Sequence, residues 1–170
     1  MRYIRLALLV VAIVLPSAGA QTILDPALEA QMRQVFPRAT TFSTKQAGAV
    51  PHYVAYVDGE AAGYVFWTTE LEPLERAYDG PIKMLVGVGT DAKLTGVLVT
   101  EHREPYGYFS VDLPAFAAQF PGKDIREPFR VGDDVDAISR ATISITSSSR
   151  AIRNGARRIA RALMTPPEAR

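Results

Sequence analysis

The stretch Asp136-Ala137-Ile138-Ser139-Arg140-Ala141-Thr142, continuing through Ile143-Ser144-Ile145-Thr146-Ser147-Ser148-Ser149 to Arg161, decides how this chain is read. Small and hydroxyl residues feed directly into an amphipathic pattern. Ile145, Ile152, Ala156, Ile159 and Leu163 recur at spacings of 7, 4, 3 and 4, the core stripe of a helix predicted from about Ser144 to Leu163. Arg150, Arg153, Arg157 and Arg161 fall on another face. A helix start leaves N–H groups unpaired and carries the positive end of the dipole, so the layout suits an anion, with Thr142 at its entrance. The plainer reading is a capped helix start followed by a solvated serine run.

Upstream, the pattern changes to period two. Asp25-Pro26 predicts a helix start, Leu28, Met32 and Val35-Phe36 give it one apolar stripe, and Pro37 stops it. Thr40 to Phe42 is predicted extended. Tyr53 to Val57 and Gly63 to Thr68 read as strands around an Asp58-Gly59 hairpin turn. A long loop, Glu70 to Gly80, follows, and a loop of this length is often functional. Ile82 to Val88 and Leu94 to Thr100 read as two more strands around Asp91-Ala92-Lys93. Leu113 to Phe120 has helical spacing, and Phe129-Arg130-Val131 reads as a brief strand. The expectation is an α+β domain: an antiparallel sheet of hairpins, helices packed on one side, and a long C-terminal helix.

Residues 1–20 read as a signal peptide. Arg2 and Arg5 form a positive start, Leu6 to Leu15 is almost wholly apolar, and the run to Ala20 ends in a small-x-small pattern. Cleavage is expected after Ala20, with a domain over 21–165, a tail over 166–170, and a periplasmic address. Without Arg2 and Arg5 the chain holds 17 basic and 18 acidic residues, which argues against nucleic acid as a partner. There is no cysteine, so disulfides, thiolate metal sites and thiol nucleophiles are excluded. There is no Gly-x-Ser-x-Gly elbow, and neither histidine has a clear Ser/Asp partner pattern. No catalytic residue and no metal site is assigned.

Asp136-Ala-Ile-Ser-Arg-Ala-Thr142 resembles the Asp-x-x-Ser/Thr-Gly-Ala-Thr motif of the FMN-binding domains. These occur in the Na⁺-translocating quinone reductase C subunit, the electron-transport complex G subunit, and the exported front of NosR-type proteins. Gly63-Tyr64-Val65-Phe66, Tyr78-Asp79-Gly80-Pro81-Ile82, Leu85 to Val88, and Gly96 to Val99 running into His102-Arg103-Glu104-Pro105 are similar too. The likeness spans roughly Tyr53 to Leu163. It implies FMN as cofactor, joined to Thr142 through a phosphoester by an exported FAD:protein FMN transferase. Arg140 departs from the family's glycine, and a positive φ there would strain an arginine. Otherwise its guanidinium would be free to meet the phosphate.

On this resemblance Ser139, Arg140, Ala141, Ile143 and Ser144 accompany Thr142 around the phosphate, and His102 and Glu104 lie near the flavin. His102 to Pro105 also reads simply as a strand-end turn. Tyr64, Trp67, Tyr78 and Tyr106 are candidates for stacking on the ring, and Thr68 and Thr69 for polar contacts; aromatics in strands are commonly core. The arginine face reads as a solvated face or as a docking surface for an acidic partner or anionic membrane. The expected function is an exported, one-domain electron carrier in a membrane-linked respiratory chain, with a membrane redox protein as donor or acceptor. The alternatives are a flavin-free periplasmic binding or regulatory module, and a reductase with non-covalent FMN.

Overall fold

A computed structural model describes residues 24–164; the expected signal peptide at 1–20 and the tail at 166–170 lie outside them. Asp25 caps α1 (Pro26–Val35), its carboxylate accepting from the Ala27 N–H at 3.0 Å. Proline at the first helical position loses no hydrogen bond, because that N–H has no partner inside the helix. The helix ends at Val35, before Pro37.

Five strands follow, β1 (Thr41–Phe42), β2 (Tyr53–Val57), β3 (Glu60–Trp67), β4 (Lys83–Gly89) and β5 (Leu94–Glu101). Each pairs antiparallel with the next, giving a sheet in sequence order. The Asp58-Gly59 turn has positive φ at both residues, 51° and 86°. Turns of that hand match the twist of the strands they join.

Alternation on β3 and β4 splits the core into two layers. Val65 and Leu85 pack with Met32, Val35 and Phe36 of the α1 region. Phe66, Met84, Val86 and Val88 pack with Ile145, Ile152 and Ile159 of the long helix α4 (Thr142–Ile159). Helices therefore cover both faces of the sheet, where one side was expected. The cause is visible in β4, whose residues Met84 to Gly89 are all buried, as a strand covered on both faces requires. Gly87 and Gly96 let α1 lie close to the sheet: a Cβ on either would come within 2.7 Å of Val35 backbone atoms.

A short helix, α2 (Thr68–Leu71), closes β3 and begins the loop expected from Glu70. The helix expected over Leu113 to Phe120 contracts to α3 (Pro114–Ala117), held by the edge-to-face pair Phe116–Phe120 at 5.2 Å. Phe129 to Val131 is not a strand. Phe129 has φ 54°, and the Asp134 carboxylate accepts from the N–H groups of Phe129 and Arg130, so those donors are spent on a side chain. Val131 makes only a single bridge to Val135. The last helix begins two residues before the expected Ser144 and continues past Ile159 as one π-helical turn, Ala160–Met164. Ile145, Ile152, Ala156 and Ile159 are fully buried, as their spacing requires. Ser147, Ser148 and Ser149 are buried as well rather than solvated. Among the described residues no helix is long and apolar enough to cross a membrane.

Candidate functional site at the start of the long helix

The site is built where β5 ends against the first turn of α4. Ala141 is the N-cap residue, its carbonyl accepting from Ile145 at 2.9 Å, and no side chain caps the helix. The N–H groups of Thr142, Ile143 and Ser144 thus head a helix of 18 residues without a capping side chain. Thr142 is exposed, and Ile143 stands 58% exposed beside it, which is unusual for an isoleucine. Arg140, just before the cap, has φ 69°. This is the left-handed conformation that glycine adopts freely and that costs a side-chain-bearing residue about 1–2 kcal/mol. Arg140, the position at which the sequence motif departs from glycine, therefore holds a backbone conformation suited to glycine.

Glu104 is the buried carboxylate of the site, 7% exposed. Its Oε2 accepts from the Ser144 hydroxyl and its Oε1 from the Asp79 N–H at 2.8 Å. One side chain thus joins three segments: the end of β5, the loop before β4, and the first turn of α4. His102 orients it from behind. The Glu104 N–H donates to His102 Nδ1 at 3.0 Å, so the imidazole proton sits on Nε2 and donates to Asp112 Oδ1 at 2.7 Å. The packing here leaves no spare room: a Cβ on Gly107 would come within 2.1 Å of the His102 ring.

These elements enclose a cleft of about 290 Å³ lined by Tyr78, Glu104, Pro105, Tyr106 and the run Arg140 to Ser144. Tyr78 and Tyr106 are 68% and 46% exposed, so the rim is aromatic and open. The cleft joins uncapped N–H groups and a guanidinium, which suit a phosphate, to flat apolar surface, which suits an aromatic ring system. Glu104 adds one fixed polar group, the usual composition of a small-molecule site.

The residues expected from the sequence divide accordingly. Arg140, Ala141, Thr142, Ile143, Ser144 and Glu104 come together in the cleft, joined by Tyr78 and Tyr106. His102 stands one hydrogen bond behind it. Ser139 is exposed next to it but does not line it. Tyr64 packs edge-to-face on His52 at 5.5 Å, and Trp67 lies under Lys83 on the sheet, both outside the cleft. Thr68 is buried outside the cleft lining, and its hydroxyl bonds the Ile82 carbonyl at 3.1 Å and the Met84 N–H at 3.0 Å, closing β3 onto β4. Thr69 likewise lies outside the cleft lining. Asp112 was not singled out in the sequence, and Asp79 only as part of the Tyr78 to Ile82 stretch; their bonds to His102 and, through the Asp79 N–H, to Glu104 are long-range contacts that local pattern does not express.

The arginine face is not simply solvated. Arg153 donates to the Pro128 carbonyl at 2.7 Å, and Arg157 to those of Ile125, Arg126 and Glu127 at 2.7–3.1 Å. Burial, followed by repulsion from Arg153 and Arg161, pulls the Arg157 guanidinium below its ordinary value.

The family model described as FMN-binding domain matches residues 77–160, which contain the whole cleft lining. No curated protein matches the chain.

Proposed function

Residues 77–160 belong to the FMN-binding domain family and FMN is the cofactor; from that premise we propose that this is an exported flavoprotein with FMN esterified to Thr142, acting as a one-domain electron carrier in a membrane-linked respiratory chain. The observation that carries the reading is an exposed threonine hydroxyl at the head of an uncapped helix, opening onto an aromatic-rimmed cleft. When bound, FMN supplies one- and two-electron transfer.

This chain's residues would then divide the work. The N–H groups of Thr142, Ile143 and Ser144 hold the phosphate with the help of the helix dipole, and Arg140 adds a cation. Tyr78, Tyr106 and Ile143 offer the apolar surface that shields the ring from water. Glu104, fixed by Ser144, Asp79 and His102, supplies an acceptor of set direction at the cleft wall. An exported FAD:protein FMN transferase is the partner that makes the ester, and a membrane redox protein exchanges the electrons. Periplasmic location is supported by the composition of residues 1–20, and peripheral membrane contact by the arginines of α4.

The test is the intact mass of the protein coexpressed with the transferase. The wild type gains the mass of FMN less one water, and Thr142→Ala stays unmodified. Flavin that leaves the wild type on denaturation, with the protein mass unchanged, overturns covalent attachment and favours a non-covalent reductase.

A further inference from the structure

The segment from Glu72 to Gly80, between α2 and β4, carries Tyr78 to the rim of the cleft. None of its residues is fully buried, and Leu74 is 91% exposed. Ala77 packs partly on the core. Apolar burial therefore holds little of the segment, and polar contacts have to hold it. Two of these come from α4. Arg158 Nε meets Glu72 Oε1 at 2.8 Å, and Arg150 Nε meets Glu75 Oε1 at 3.2 Å. The two glutamate side chains are only 14% and 16% exposed, so they have lost most of their water and depend on the guanidinium groups. Next to Tyr78, the Ala77 N–H donates to the Gly80 carbonyl and the Asp79 N–H to Glu104, both at 2.8 Å. Arg150 also lines a second cleft, of about 320 Å³, which Thr142 borders and which has Arg130 and Arg153 on its walls. Its Nε is nonetheless turned to Glu75.

We infer that Arg150 and Arg158 are positioning residues: through Glu75 and Glu72 they clamp this segment to α4 and keep Tyr78 at the cleft rim, where it covers the flavin ring. The inference rests on the reading of the cleft as the FMN site. Thr142 heads the same helix, so the group that anchors the phosphate and the group that shields the ring share one frame. The buried stripe of α4 fixes that frame on the sheet. Ordering a free segment over the ring costs conformational entropy, and a clamped segment has met that cost before the flavin binds.

Hydrogen exchange of the flavin-free full-length protein reads the clamp at the Ala77 and Asp79 amides, with the Val86 amide of β4 as the reference. Arg150→Gln and Arg158→Gln each speed exchange at 77 and 79 by about two- to fivefold, and the double variant by about the product, while Val86 is unmoved. Arg150→Lys/Arg158→Lys stays closer to wild type because it keeps the charges. Glu72→Gln/Glu75→Gln reproduces the loss from the other side. Iodide quenching of the FMN-loaded protein reads the ring. The double glutamine variant of the arginines raises the quenching constant, as Tyr78→Ala does, and adds nothing in the Tyr78→Ala background. Unchanged exchange at both amides in the double variant overturns the clamp. An equal rise at Val86 overturns it too, because that is a general loss of stability. Faster exchange with unchanged quenching, or an effect that adds to Tyr78→Ala, overturns the role of Tyr78. A wild type that takes up no FMN removes the reading of the cleft and the role of Tyr78 with it, while the exchange rates still decide the clamp.

Discussion

The Ser144 hydroxyl donates to the Glu104 carboxylate, two residues 40 apart in sequence and both buried. This bond ties the first turn of α4 to the segment that follows β5, and both residues line the cleft beside Thr142. Buried polar pairs of this kind are costly to half-remove, since the partner left behind loses both water and its hydrogen bond. Ser144→Ala is expected to destabilise the protein by about 1–3 kcal/mol. A denaturant double-mutant cycle with Glu104→Gln gives a coupling of about 0.5–3 kcal/mol. Additive single effects would remove the pair as an organising contact.

His102 serves Glu104 through one ring nitrogen acting as acceptor. His102→Asn retains an acceptor near Nδ1, whereas His102→Leu leaves the Glu104 N–H without one. FMN-loaded His102→Leu is expected to show a shifted flavin absorption band and midpoint potential, with His102→Asn lying closer to wild type. Identical spectra and potentials for both variants would show that His102 has only a packing role.

Arg140 separates backbone strain from charge. Arg140→Gly removes the clash of a β-carbon at φ 69°, and its own loss of unfolded-state restriction offsets part of the gain. A net stabilisation of about 0.5–1 kcal/mol is expected, read as a rise in Tm of about 1–4 °C. Arg140→Ala removes the guanidinium but keeps the β-carbon and should not rise. Equal behaviour of the two variants would mean the left-handed conformation is not the source of the effect.

Gly155 lies inside α4, where alanine ordinarily stabilises a helix by about 1 kcal/mol. Here the sign reverses. A Cβ at Gly155 would come within 2.5 Å of the buried Phe66 ring, so the helix must move off the sheet. Gly155→Ala is expected to destabilise by about 1–3 kcal/mol, and Gly155→Ala/Phe66→Leu to recover part of the loss. Stabilisation by the single variant would contradict the close approach of α4 to β3.

Asp134 sets an acid limit on stability. Burial raises its proton affinity, but the N–H bonds from Arg130 and Phe129 and the charge of Lys123 outweigh it, so its folded pKa is lowered. A lowered carboxylate contributes stability above its unfolded pKa of about 4 and loses it as pH falls through the folded value. Wild type should exceed Asp134→Asn in stability at neutral pH, with the difference shrinking below about pH 4. A gap that stays constant into strong acid would rule out this linkage.

The elements with local signals were legible in the sequence: the Asp25-Pro26 helix start, the Asp58-Gly59 hairpin, the strands and the amphipathic stripe of α4. Each rests on backbone preference or on side-chain period, which neighbours in sequence express by themselves. The signal was weakest where a distant group took over. Asp134 captured two backbone donors and dissolved the strand expected at Phe129 to Val131. The apolar pattern of Leu113 to Phe120 served a ring pair more than a long helix.

The same division holds at the site. Sequence alone determined the helix entrance, Thr142 at its head, and the chemical character of Arg140 to Ser144. Tertiary structure alone decided that Tyr78 and Tyr106 would face that entrance while Tyr64 and Trp67 would not. It also decided that Glu104 would be locked by Ser144, Asp79 and His102, and that Thr142 would border two clefts of opposite character. The physical reason is range. Capping, turn preference and periodicity act over a few residues, whereas a buried carboxylate or an open aromatic face is defined by which distant segments the sheet brings together.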